Sequence, residues 1–143
     1  MKTKLSGLIL AMATVGAQAY ATSQNLPGQN LDVFFEKNSA QPVAGEILKL
    51  ANWVVDMRFK FPIQESLYIG GLDETSERTP KILATERADH VKLLLAQLGL
   101  VKIPIDFRSS IYKPLDSNNP LENGKRVEIE LSPGCLNNCC DGQ

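Results

Sequence analysis

Residues 83–100, LATERADHVKLLLAQLGL, decide how the chain is read. At about 100° per residue, Leu83, Ala84, Ala88, Val91, Leu94, Leu95 and Leu98 share one face, which predicts an amphipathic helix. Thr79-Pro80 supplies an N-cap and a first-turn proline, and Gly99 is a natural residue for the C′ position. One residue breaks the pattern. With Arg87 at zero, Leu83 lies at about −40°, Leu94 at about −20°, Leu98 at about +20° and Val91 at about +40°. Arg87 therefore stands inside the apolar stripe, while Glu86, Asp89 and Lys92 point to solvent.

A guanidinium on a core face costs several kcal/mol unless it finds partners. Three outcomes fit the spacing. Arg87 can snorkel past the helix start to water. It can form a purely structural ion pair. Or it can line a pocket and hold an anion, because its rigid fork of donors matches a carboxylate. Asp73 is the natural neighbour. It ends an apolar run, Leu67-Tyr-Ile-Gly-Gly-Leu72, whose glycines permit a tight turn or a close approach of ligand to backbone. A helix packing back over that strand would bring Asp73 and Arg87 to one cleft, and such a pair suits the ammonium and carboxylate of an amino acid.

Working outward, the N-terminus reads as an export signal. Met1-Lys-Thr-Lys4 is a short positive start, Leu5 to Ala17 is apolar, and Ala17-Gln-Ala19 and Ala19-Tyr-Ala21 fit small-x-small cleavage. Residues 1–21 are read as a signal peptide, without the cysteine that lipoprotein processing needs. The loss of two lysines moves the net charge from −1 to −3. No later run is long and apolar enough for a transmembrane helix. The absence of a basic surface argues against nucleic acid as a partner. Residues 22–30, with SQNLPGQN, read as a linker. Cys135, Cys139 and Cys140 lie in a tail, residues 133–143, and an oxidising compartment makes a disulfide there the expectation, with one thiol left over.

Between these ends the chain alternates. Leu31–Phe35 is strand-like. Ser39 and Pro42 would start a helix through Ala44–Met57, with Ile47, Leu50, Ala51, Val54 and Val55 along one face. Leu67–Leu72 is the second strand, Asp73–Arg78 a polar loop, Ile103–Ile111 contains a third strand, and Val127–Leu131 alternates as a half-buried fourth. The order is βαβαββ, predicting an α/β (α+β) sandwich with two helices on one face of a mixed sheet.

The same marks resemble the OmpA-like (MotB-like) C-terminal domain. Gly70-Gly-Leu-Asp73 followed by Leu83-Ala-Thr-Glu-Arg87-Ala88-Asp-His-Val91 is similar to that family's GxTD and LSxxRAxxV. Phe35-Glu-Lys-Asn-Ser39 looks like its opening FxxxS, Pro114 like the proline after its third strand, and Gly124-Lys-Arg126-Val-Glu128 like its closing NRRVE. The resemblance spans residues 31–132. It implies non-covalent binding of peptidoglycan through the diaminopimelate of the stem peptide, with Asp73 and Arg87 on the ligand and Arg126 contacting it or supporting the cleft. It also implies a periplasmic home and no cofactor. Leu72 stands where the family has threonine, Thr79-Pro80 where it has Tyr-Asn, and Gly124-Lys125 where it has Asn-Arg.

The other reading is a divergent OmpA-like fold that serves as a protein-interaction part of an envelope assembly, with an envelope protein or a second copy as partner. An enzyme is not expected. A zinc site needs several ligands together and the chain has the single His90, and the cysteines lack CxxC spacing. Trp53 reads as a packing residue of the first helix.

Overall fold

A computed structural model describes residues 26–100, 102–114 and 123–134. The signal-peptide and disulfide expectations, on residues 1–21 and on Cys135, Cys139 and Cys140, lie outside the described residues. Six elements follow the expected order: β1 (Gln29–Phe34), α1 (Ala44–Lys60), β2 (Gln64–Asp73), α2 (Pro80–Gln97), β3 (Ile105–Ile111) and β4 (Arg126–Pro133). Gln29 and Asn30, read as linker, already pair with Leu131 and Glu130 in the sheet.

The strands lie in the order β1-β4-β2-β3. β4 is antiparallel to both neighbours, and β2 runs parallel to β3 from Leu67↔Ile105 to Asp73↔Ile111. The parallel pair requires a crossover, and α2 supplies it. Alternation puts Val33, Leu67, Ile69, Val127, Ile129 and Leu131 on one face of the sheet. These meet Leu50, Val54 and Met57 of α1 and Ala88, Val91 and Leu95 of α2 to make the core. Each of these side chains other than that of Ala88 contributes about 1.5–3 kcal/mol when fully buried.

Two expectations for α1 change. The helix begins at Ala44 with Val43 at the N-cap, and Pro42 instead forms an isolated bridge with Phe35. The Ser39 hydroxyl accepts from Gln41 N–H in the preceding turn. The buried face is Leu50, Val54 and Met57, with Trp53 packed beside it, whereas Val55 is 65% exposed. Val55 lies about 140° from Leu50 around the helix, too far to reach the same sheet.

Gly71 sets the distance between sheet and helix. A Cβ there would fall inside the contact radius of the Ala84 carbonyl oxygen, so the strand admits α2 at close range only because that side chain is missing. Gly71 thus serves the approach of a helix, while Gly70 lies under the Tyr68 side chain. At the far end Gly99 has φ +100°, the left-handed residue that stops the helix, as expected.

Candidate functional site: a buried arginine with two carboxyl neighbours

The close approach at Gly71 carries Arg87, two turns into α2, over the last residue of β2. Asp73 and Arg87 are both fully buried, and Nη1 lies 3.5 Å from Asp73 Oδ1. The structure therefore brings together the two residues that the sequence singled out. It also resolves what Arg87 does in the apolar stripe. Snorkelling is ruled out, because no part of the side chain reaches solvent.

The third member of the cluster is Glu77, in the segment that reads as a polar loop. Its carboxylate pairs bidentately with the guanidinium, accepting from Nη2 at 2.7 Å and Nη1 at 2.9 Å. The remaining donors of Arg87 go to the Ser39, Leu72 and Glu36 carbonyls. All five N–H groups are thus satisfied, and the Phe35 ring covers the guanidinium at 5.2 Å. Glu77 also accepts from Asn38 N–H at 2.7 Å and Glu74 N–H at 3.2 Å. The open cleft expected between Asp73 and Arg87 is closed by this carboxylate. A solvated loop residue shows no periodicity, so nothing in the spacing marked Glu77; only the fold turns it inward.

One guanidinium balances one carboxylate, and the protonation of the pair follows. Burial alone would raise Glu77, but the hydrogen bonds from Arg87, from Asp73 and from the Asn38 and Glu74 backbone together outweigh it and hold the carboxyl at about 2. Asp73 goes the other way, to about 7, through burial first and the adjacent Glu77 second, against the pull of Arg87. Neither Asp73 oxygen has a hydrogen-bond partner among the described residues.

Arg126 does not join them. It lies on β4 among residues that alternate away from buried Val127 and Ile129, on the face of the sheet opposite the helices. There it binds Glu128 at 2.6 Å, the Asn123 carbonyl at 2.7 Å and Asp32 at 3.6 Å, and stacks on Tyr112. Its neighbour Lys125 is the part of the closing motif that reaches the loop: Nζ lies 3.1 Å from Glu74, which also accepts from Gly124 N–H. Among the described residues no cluster of His, Cys, Asp or Glu could hold a metal ion, and no helix is long and apolar enough to cross a membrane.

Two helices thus lie on one face of a four-stranded mixed sheet, with an arginine of the second helix over the end of the second strand. Solved structures share this fold. The chain is similar to the OmpA-like domain of FopA1 from Francisella tularensis subsp. tularensis SCHU S4, at 22% identity over 73% of this chain and 72% of that one, with a TM-score of 0.57. It is similar to the C-terminal domain of Helicobacter pylori MotB at 25% identity, over 72% and 84%, TM-score 0.56. The peptidoglycan-associated lipoprotein from Burkholderia pseudomallei matches at 17% identity, over 71% and 87%, TM-score 0.54. No protein-family model and no curated protein sequence matches the chain. The fold is that of the OmpA-like (MotB-like) C-terminal domain.

Proposed function

We propose that this chain is a periplasmic module that binds peptidoglycan non-covalently through the diaminopimelate of the stem peptide, with Asp73 and Arg87 as its ligand residues. The observation that carries the reading is their convergence: a carboxyl group and a guanidinium, 3.5 Å apart, at the end of β2 in an OmpA-like fold. Their polarity fits an amino-acid head group, with Arg87 for its carboxylate and Asp73 for its ammonium. One structural neighbour is named for its association with peptidoglycan, and others are periplasmic domains of MotB. One neighbour is titled an OmpA-like domain and another a peptidoglycan-associated lipoprotein, in keeping with a binding role. Arg126, on the opposite face, would support the domain without touching this ligand.

The complete satisfaction of Arg87 by Glu77 and backbone carbonyls favours a second reading, an OmpA-like fold retained as a protein-interaction part of an envelope assembly. Co-sedimentation separates the two. Mature protein should pellet with sacculi containing diaminopimelate and stay in solution with sacculi containing lysine in its place. Asp73→Asn and Arg87→Lys, shown to be folded by circular dichroism, should lose the pelleting. Wild-type protein that remains in the supernatant in both cases leaves the second reading.

A further inference from the structure

The segment Glu74–Thr79 joins β2 to α2 and holds the Glu77 carboxylate against Arg87 with a geometry that a ligand carboxylate would share. Three other observations surround this contact. First, Asp73 is buried with both carboxyl oxygens unpartnered among the described residues. While Glu77 is in place, the raised Asp73 carboxyl has that carboxylate as its proton's partner; once Glu77 leaves, an incoming N–H donor would take its place. Second, the segment ends in a strained residue. Thr79 is β-branched, has φ 45°, and makes no side-chain cap hydrogen bond. The two residues before it are tied down by Asn38, which accepts from Arg78 N–H at 2.7 Å and donates its own N–H to Glu77. Third, an open surface pocket of about 240 Å³ is lined by Asn38, Arg78, Thr79, Leu83 and Glu86. Two of those residues directly follow Glu77 in the chain, so the wall of the pocket is the same segment that closes the clamp.

We infer that Glu77 is an internal stand-in for the ligand's carboxylate, closing the Arg87 clamp at rest, and that an amino-acid head group enters from the Asn38–Glu86 pocket by displacing it. The inference rests on the wall-binding reading for the identity of that head group. Displacement exchanges one carboxylate for another on the same fork, so the buried guanidinium is never left unpaired. Glu77 regains water as it leaves, and release of the segment relieves Thr79. The loss of the bonds from Asn38 and Glu74 opposes opening. Wild type therefore binds through a minor open state, and removal of the internal carboxylate raises apparent affinity by removing that population penalty.

The test uses full mature protein labelled with nitrogen-15, with Glu77→Gln and Glu77→Ala beside wild type. Sodium acetate, the smallest carboxylate probe, decides the gate. The Arg87 Nε–H resonance should shift on acetate addition in the variants, and at the same concentration stay in place in wild type. Equal response in all three proteins overturns the gate. A disaccharide tripeptide ending in meso-diaminopimelate decides the ligand. Folded variants should bind it about tenfold or more tighter than wild type. Acetate access confined to the variants, with no muropeptide binding to any protein, keeps the gate and removes the wall-binding reading. Should both variants fail to fold, wild type decides: saturating muropeptide should release Glu77 to titrate in the ordinary glutamate range. A Glu77 that stays held in that complex overturns the inference.

Discussion

Arg87 and Arg126 each have two carboxyl side chains within 4 Å, on opposite faces of one sheet. The residue types are the same and the consequences are not. Arg87 sits with Glu77 and Asp73 among the core residues, fully excluded from water. Arg126 sits with Glu128 and Asp32 at the surface, and its side chain keeps 17% of its exposure. In the buried cluster a second negative charge has no counterion, so Asp73 is raised to about 7 while Glu77 falls to about 2. In the surface cluster Asp32 is raised by burial, with Arg126 pulling the other way. Water screens what the core must balance by proton, partner and geometry.

Removal of each arginine should give the largest contrast. Arg87→Ala leaves the Glu77 carboxylate buried without its partner and should cost about 3–5 kcal/mol in urea unfolding. Arg126→Ala should cost about 1 kcal/mol or less. Equal losses would mean that the surface cluster is as desolvated as the buried one.

The two glycines of β2 make the same comparison for packing. Gly71→Ala drives a methyl into the Ala84 carbonyl and should cost about 1–3 kcal/mol or more, with α2 and Arg87 displaced. Gly70→Ala meets only the end of the Tyr68 side chain, which can turn aside, and should cost clearly less in the same unfolding assay.

The pH dependence sharpens the contrast through Asp73. Its folded value is above the ordinary 3.8, so its contribution to stability is complete below that pH and is lost as pH rises through about 7. The Glu77 contribution is complete above the ordinary 4.5 and is lost as pH falls toward about 2. Asp73→Asn should therefore match wild type near pH 4, gain thermal stability over it as pH rises to about 7, and keep that lead above. Constant melting differences across this range would show that Asp73 titrates normally. Asp32→Asn should give a much shallower trend.

Salt should produce the smallest effect. Raising sodium chloride from low ionic strength to about 1 M screens exposed pairs strongly and buried ones weakly. The stability difference between Arg126→Ala and wild type should shrink, and that between Arg87→Ala and wild type should persist.

Local patterns along the chain are enough to set the order of elements and the faces that lack ambiguity. The stripe of α2, the strict alternation of Val127-Glu-Ile-Glu-Leu131 and the stop at Gly99 are local patterns, fixed by 3.6-residue and two-residue periods or by one backbone angle. Arg87 was legible as an anomaly for the same reason, and Asp73 as its neighbour because a crossover helix must return over the strand before it. The buried face of α1 is not legible locally, because apolar residues including Val55 nearly encircle that helix, and only its seat on the sheet selects Leu50, Val54 and Met57. Arg126 looked like a site residue in its motif, yet strand alternation turned it to the other face. Glu77 was hidden most completely. Its position depends on a segment held by Asn38 and on the depth at which Gly71 seats α2, contacts between residues far apart in the chain. Tertiary structure alone decided which carboxylate the buried arginine holds, because that choice belongs to no single element.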